Sequence, residues 1–514
     1  MLARLTRDLP RYLRRPMTVA VASERVRRGL AGQEQRLLTL LEQHIYGNPD
    51  SPFAALLRAA GCEPGDAERL VAREGAEGAL RTLADRGVYL TFDEVKGRTD
   101  AVRGSQRFSF QEEQFDNTLV SPHFAVYTSG SRGQPSRVLR SLSYMAESAA
   151  CMAVGFEANG LRDLRHVYWL TAPVGKMMAH SKLRQPCAGW FYPTTMLRRV
   201  QLGARYLGLL GRAGGYQFPQ PQSLDLHAAE RLVTWLRRLP ATGQPTMITT
   251  TVSSAVRLAI AARAANFSLN GVTFYAQGEP MSPARRAHID ASGAKTIVDY
   301  GTIEIMGIGY GCPSSTAADD VHIFTDRHIV TSRTREVAGT GTTVDALLFT
   351  TLNPAAPRIM LNVENGDCAT VETRSCDCLM GQLGLQTHLS DIRSFEKLTG
   401  EGMTVVRSTL EHLLEQQLPQ RFGGTSLDYQ LVEQEATDTA TLLVLRVHPS
   451  VGPLDEAAVQ TFVLEQMARD SILNTFMTDM WRRAGTITVS RDVPLATTAG
   501  KVLPFHLARR GSDT

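Results

Sequence analysis

The chain has 514 residues, of which 43% are hydrophobic and 21% charged, the balance of a soluble globular protein of about two or three domains. No apolar run approaches the ~20 residues of a membrane helix, so no membrane span is expected. The small net charge of +4 makes no case for a nucleic-acid partner, which calls for basic residues clustered on one face.

No secretory signal is evident, so a cytoplasmic location is expected and the seven cysteines are not read as a disulfide framework. Basic charge is carried almost entirely by Arg, with Lys only at positions 96, 176, 182, 295, 397 and 501. Ammonium and guanidinium groups do different chemistry, so each Lys is a candidate for a specific task.

The Arg-rich opening, MLARLTRDLPRYLRRP, has the flavour of a transit peptide. Asp8 and its two prolines interrupt a clean amphipathic helix, and the stretch reads as a basic surface segment. Residues 1–120 otherwise look like a helical region packed on the large domain. Leu37, Leu38, Leu40 and Leu41 recur at helical spacing until Asn48-Pro49-Asp50, and Ser51-Pro52 opens another helix.

From 121 to 390, strands and helices alternate. Met247 to Val252, Val272 to Tyr275 and Thr296 to Val298 read as strands. Ser254 to Ala265 and the stretch opened by Ser282-Pro283 read as helices. That alternation predicts an α/β fold with mainly parallel sheets covered by helices. Ligands then bind beyond the carboxyl ends of the strands. Residues 391–514 read as a small mobile α+β domain, with a helix over Thr409 to Leu418, strands over Leu427 to Val432 and Thr441 to Val447, a helix over Asp455 to Met467 and a strand over Thr486 to Val489.

The most informative stretch is VYTSGSRGQPSR, Val126 to Arg137. A short strand ends in a loop whose glycines, Gly130 and Gly133, admit close backbone approach, while Thr128, Ser129 and Ser131 add hydroxyl donors. Phosphate oxygens suit such a loop. The Walker spacing is absent. The string resembles the phosphate loop of the adenylate-forming enzymes: acyl-CoA synthetases, peptide-synthetase adenylation domains and luciferases. Ser136 stands where many of them carry Lys, which is closer to the phenylacetate–CoA ligase branch.

Further stretches carry the same resemblance. Gly278-Glu279-Pro280 would lie beside the adenine or the acyl group. In Asp299-Tyr300-Gly301-Thr302-Ile303-Glu304, Tyr300 would lie against the adenine, flanked by Gly301. Glu304 would ligate Mg²⁺, as a carboxylate suits a hard cation. Ile303 departs from the usual hydroxyl residue, a role that Thr302 could take. Asp367, after Asn365-Gly366, would hold both ribose hydroxyls. His388-Leu389-Ser390-Asp391 falls at the hinge motif, with Asp391 the hinge and His388 in place of an Arg that contacts ribose or phosphate. Pro494 to Lys501 resembles the C-terminal loop whose Lys neutralises charge on the carboxylate and α-phosphate.

The resemblance implies ATP-dependent activation of a small carboxylic acid to acyl-AMP, then transfer to a thiol, either CoA or the phosphopantetheine of an acyl carrier protein. An amine acceptor, and a nucleotide-binding relic suggested by Ile303 and His388, are the alternatives. Val174 to Trp190 and Tyr275 to Glu279 would line the acyl pocket, where Lys176, His180 or Lys182 would meet a polar substrate group or simply face solvent. Monomer and homodimer both remain open.

Cys312, His322, Cys376 and Cys378 form a candidate structural zinc site. Zinc takes four such ligands in a tetrahedron, and the phenylacetate–CoA ligase branch carries a similar arrangement. Cys368 is excluded because it follows Asp367 at the expected nucleotide.

Overall fold

The computed structural model describes all residues except 128–136, 162, 172, 194–195, 240–243, 338–341, 395–396, 401–402, 407–412, 426–427, 436–440, 469–471, 496–504 and 508–514.

The Arg-rich opening, expected as a basic surface segment without a clean amphipathic helix, is a helix. Leu2–Leu13 is helical with Pro10 inside it. Leu5, Leu9 and Leu13, four residues apart, are buried, and Pro10 removes only one backbone donor near the end. Burial of that stripe therefore outweighs the proline. Helices follow over Val19–Ala31, Gln33–Thr39, Pro52–Ala59 and Pro64–Asp85. The last bends at Gly75, whose φ of 71° only glycine adopts without strain. The apolar faces of these helices belong to the same two cores as the large sheet.

The centre of the molecule is a twelve-stranded sheet. Its strands are β1 (Arg165–Trp169), β2 (Cys187–Tyr192), β3 (Pro221–Ser223), β4 (Thr246–Thr251), β5 (Val272–Gln277), β6 (Lys295–Tyr300), β7 (Gly309–Tyr310), β8 (Val321–Ile323), β9 (His328–Val337), β10 (Thr342–Thr351), β11 (Val363–Thr373) and β12 (Thr387–Ser394). Their order is β9-β10-β11-β12-β8-β7-β6-β5-β4-β1-β2-β3. The half of the sheet running from β6 to the β3 edge pairs in parallel. On the other side of β6, every pairing among the described residues is antiparallel.

The parallel half is built as such sheets must be, with both faces covered. All six residues of β4 are buried, threonines included. Helices Leu142–Ala158, Val252–Ala264 and Pro283–Asp290 are opened by Ser141, Thr251 and Ser282, whose side chains accept backbone N–H groups of the first turn. The change from parallel to antiparallel falls at Tyr300, the last residue of β6.

The described strands after Leu413 form a separate sheet. Strands β13 (Tyr429–Glu435), β14 (Thr441–Val447), β15 (Ile487–Ser490) and β16 (Phe505–Leu507) lie in the order β15-β14-β13-β16. Helices Glu456–Ala468 and Ile472–Ala484 accompany them, and Leu431, Leu443, Leu445 and Trp481 sit in a core of their own. Of the expected helix Thr409 to Leu418, residues 413 to 417 form a π turn that runs into Leu418–Phe422; residues 409–412 lie outside the described residues. No described helix is long and apolar enough to cross a membrane.

Candidate nucleotide site and a sulfur cluster

Strands β5 and β6 end side by side at Gln277 and Tyr300. Three residues from two distant stretches meet there. The Tyr300 hydroxyl donates to Asp367 Oδ2 at 2.9 Å. The Asn365 amide donates to the same oxygen at 2.7 Å and lies 3.0 Å from the Tyr300 oxygen. Gly366, at φ 83°, makes the bend that lets Asn365 reach round to Asp367. An aromatic ring and a carboxylate are thus held next to each other, as recognition of a base and its ribose requires.

The turn after Tyr300 is fixed from below. Tyr144 accepts the Met306 N–H at 2.7 Å, and Arg140 donates to the Ile303 carbonyl at 2.6 Å. Residue 303 therefore contributes its backbone, which any side chain supplies. The Thr302 hydroxyl accepts the Ile305 N–H at 3.1 Å, so it closes the turn. Gly301 lets the turn fold tightly, because a Cβ there would come within 3.1 Å of the Gly307 nitrogen and the Ile305 oxygen.

Glu304 lies at the centre of a charge cluster. Lys96 Nζ is 3.0 Å and Arg358 3.5 Å from its Oε1. The same two cations bind Glu112, at 2.5 and 2.6 Å. Burial alone would push the Glu304 carboxyl up; Lys96 and then Arg358 outweigh it and hold it down at about 2. An ionised carboxylate is the donor that Mg²⁺ requires, so Glu304 fits that metal. The ion would contend with Lys96 and Arg358 for the oxygen.

The phosphate-loop residues Thr128, Ser129, Gly130, Ser131 and Gly133 lie outside the described residues. Their flanking strands, Phe124–Tyr127 and Arg137–Arg140, pair with Tyr127 opposite Arg137. Arg358 donates to the Arg137 carbonyl at 2.9 Å. One guanidinium therefore ties the base of that hairpin to Glu304. Lys501 also lies outside the described residues. Leu495, on the chain leading to it, is pinned to β13 by a reciprocal pair of bonds with Gln430, of 2.6 and 2.9 Å.

Gly278 bends the chain at φ 79°. Glu279 turns inward and accepts the Ser253 N–H at 2.7 Å, placing negative charge at the start of helix Val252–Ala264. The Pro280 carbonyl accepts from Arg285 at 2.9 Å.

None of the three residues expected near the acyl group faces solvent. Lys176, on helix Val174–Ser181, is paired with Asp299 and lies 4.7 Å from the centre of the Tyr275 ring. His180 is buried with its Nδ1 2.5 Å from the Tyr168 hydroxyl. Lys182 donates to the Tyr12 and Arg15 carbonyls, tying the first helix down. Burial lowers the Lys176 ammonium and drives His180 well below its ordinary value.

The second cluster forms where β8 meets β12 and the loop before it. One ligand atom each from Cys312, His322, Cys376 and Cys378 lies within 4.8 Å of all the others. Cys312 and Cys376 sulfurs are 3.7 Å apart, and Cys378 Sγ is 3.2 Å from His322 Nε2. Two sulfurs on one tetrahedral zinc stand about 3.8 Å apart at ordinary Zn–S lengths. His322 Nδ1 lies 2.7 Å from the Leu385 carbonyl. Donation there presents Nε2, as a ligand, to the sulfurs. The donor set fits zinc.

His388 packs against the histidine of this cluster. The β8–β12 register sets it opposite His322, with ring centres 3.9 Å apart. It is buried, with Nδ1 2.8 Å from Asp320, and Arg374 holds the same carboxylate. The expected role in place of a nucleotide-contacting Arg does not fit that position; strand pairing sets the ring against His322 and Asp320.

At Asp391 the strand adopts φ 52°, an uncommon conformation for a residue with a side chain. Asp319 accepts the Asp391 N–H at 3.1 Å and the Ile392 N–H at 2.9 Å. The Asp391 side chain itself is exposed, 3.6 Å from Arg393.

Sequence reasoning missed Lys96, Glu112, Arg358 and Asp319. Only Lys96 carried a signal, as a rare lysine in an arginine-rich chain. The others act through contacts between distant elements.

The fold, a large sheet covered by helices with a small strand layer after it, is shared with a solved CoA ligase. Among solved structures the chain is similar to a 2-hydroxyisobutyryl-CoA ligase in complex with 2-HIB-AMP and CoA. The TM-score is 0.56 and the identity 16%, over 96% of this chain and 91% of that one. An amide bond synthetase from Marinactinospora thermotolerans aligns with a TM-score of 0.42 and 15% identity, over 94% and 98%. No family model and no curated relative matches the chain.

Proposed function

We propose that the protein activates a small carboxylic acid with ATP and passes the acyl group to a thiol. The observation that carries this reading is the hydrogen-bonded group of Tyr300, Asn365 and Asp367 beside the ionised Glu304, at the carboxyl ends of parallel strands. Tyr300 would bound the adenine and Asp367 would accept the ribose hydroxyls. Arg358 and Lys96 would keep Glu304 ionised, and Mg²⁺, when bound with ATP, would neutralise phosphate charge.

In the first step a carboxylate oxygen bonds to the α-phosphorus, the bond to pyrophosphate breaks, and acyl-AMP forms. Lys501 would offset the charge building on the reacting oxygens. In the second step the small C-terminal domain would turn about Asp391. A thiolate, from CoA or from the phosphopantetheine of a carrier protein, attacks the acyl carbon and AMP leaves. The Cys312–His322–Cys376–Cys378 cluster would hold one structural zinc and staple the loop after Glu304 to the loop before the hinge, as in the phenylacetate–CoA ligase branch that the motifs resemble.

Exchange of labelled pyrophosphate into ATP, dependent on an added carboxylic acid, tests the first step. Absence of exchange across a broad acid panel would overturn the enzymatic reading. CoA, a carrier protein and an amine, supplied in turn, then identify the acceptor.

A further inference from the structure

Charge is distributed unevenly over this protein. Residues 1–16 and the helix Arg198–Ala213 hold nine arginines and one acid, Asp8, a net +8. The whole chain carries +4, so everything else is net −4. The two stretches are neighbours. Arg14 donates to the Ala213 carbonyl at 2.8 Å, the Thr6 hydroxyl meets that of Tyr206, and Gly214 admits Leu13 so closely that a Cβ there would come within 2.7 Å of it.

Helix Arg198–Ala213 contains no acidic residue. Arg198, Leu202, Arg205, Leu209 and Arg212 follow one another at spacings of three and four, and so share one face. All five are exposed. Leu202 and Leu209 are each 64% exposed, and Met1 and Leu2 at the start of the adjoining helix 52% and 63%. Isolated exposed leucines need no explanation; alternating with arginines along a ridge, they do.

We propose that this two-helix face docks the protein on an anionic lipid surface. Leucine and methionine side chains enter the headgroup layer, and the arginines alongside bind lipid phosphates with their planar forks while their stems stay in apolar contact. The opposite signs of patch and remainder orient the molecule as it approaches. A second copy of the chain does not suit the face, because like charges would meet. Nucleic acid does not suit it either: Tyr12 is buried and Tyr206 half-buried, so stacking on bases lacks an exposed ring, and the leucines would lie against phosphates. The leucines crown a ridge, a shape that a deformable lipid surface accommodates directly.

The test is co-sedimentation of the full chain with vesicles of phosphatidylcholine, with and without phosphatidylserine, at low and high salt. Binding is expected only with phosphatidylserine and should weaken with salt. Arg198→Glu/Arg205→Glu/Arg212→Glu should lower the bound fraction about tenfold or more. Leu202→Ser/Leu209→Ser should lower it severalfold, with circular dichroism and the thermal midpoint unchanged in both variants. Equal recovery on neutral and anionic vesicles would overturn the proposal. So would leucine variants that bind like the parent, since the face would then be a general polyanion patch. Retention of the parent on heparin but not on vesicles would equally reject lipid as the occupant.

Discussion

The two polar clusters of the large sheet are built in opposite ways. Around Glu304, every carboxylate meets a cation of the same chain: Lys96 and Arg358 serve Glu304 and Glu112 together. Around His322, three sulfurs and an imidazole face one another. The first cluster is electrically satisfied by protein, so a ligand entering it exchanges with existing ion pairs. The second gathers donors that share one cation well and one another poorly. Exchangeable pairing suits a site whose contents change during a reaction, and a set of mutually facing donors suits a permanent staple.

The largest effect belongs to Lys501. Lys96 and Arg358 are committed to carboxylates, so the charge that offsets a developing phosphoryl transition state has to come from elsewhere. Lys501→Ala should slow adenylate formation about 10²–10³-fold. Thioester formation from supplied acyl-AMP should be largely retained. Equal loss in both half-reactions would assign Lys501 a structural role and leave the Glu304 cluster as the source of charge.

Next comes the sulfur cluster. Protein purified without added metal should contain about one zinc per chain, measured by elemental analysis. Cys376→Ser should lower both that content and the thermal midpoint, since loss of a metal site is among the changes that destabilise a protein most. A metal-free parent of undiminished thermal midpoint would remove the contrast between the clusters.

The Glu304 cluster should respond with opposite signs to its two halves. Glu304→Gln should weaken apparent Mg²⁺–ATP affinity, because an amide is the poorer ligand for a hard cation. Lys96→Met removes a competitor and should tighten it, at a stability cost of about 1–3 kcal/mol from buried carboxylates left short of a partner. The Glu304 carboxyl is depressed to about 2. Its stabilising contribution is thus complete above its unfolded value and fades as pH falls toward 2. Glu304→Gln should flatten the acid limb of the stability profile, read by thermal melts from pH 5 down to about 2. An unchanged acid limb would mean that the ion pairs do not persist in solution.

Much of this is legible in the sequence because it is local. β4, β5 and β6 follow from short stretches rich in β-branched and aromatic residues, and caps such as Ser282 sit one residue before their helices. Cysteine and histidine are few enough that Cys312, His322, Cys376 and Cys378 can be grouped from the sequence. The hidden part depends on register. Nothing local says that His388 pairs with His322, or that Arg358 bridges Arg137 and Glu304. The first helix escapes a local reading because Pro10 reads as a breaker, while the burial of Leu5, Leu9 and Leu13 depends on partners far along the chain.

The smallest expected effect is at Asp319, which touches the proposed hinge. Its neighbour Asp320 is held by Arg374 and by His388, whose ring packs on His322. Asp319 itself grips the backbone N–H groups of Asp391 and Ile392, where φ of Asp391 is 52°. The loop that follows Cys312 therefore holds the chain at the point about which the small domain would turn. Asn retains one acceptor oxygen, so Asp319→Asn should weaken the grip without emptying the space. The lost charge-assisted bonding is worth about 1 kcal/mol, a severalfold change. If that grip favours one orientation of the small domain, adenylation and thioester formation should shift by different factors, measured separately by pyrophosphate exchange and by thiol transfer from supplied acyl-AMP. A merely structural contact would move both rates and the thermal midpoint together, and that outcome would detach the sulfur cluster from the reaction cycle.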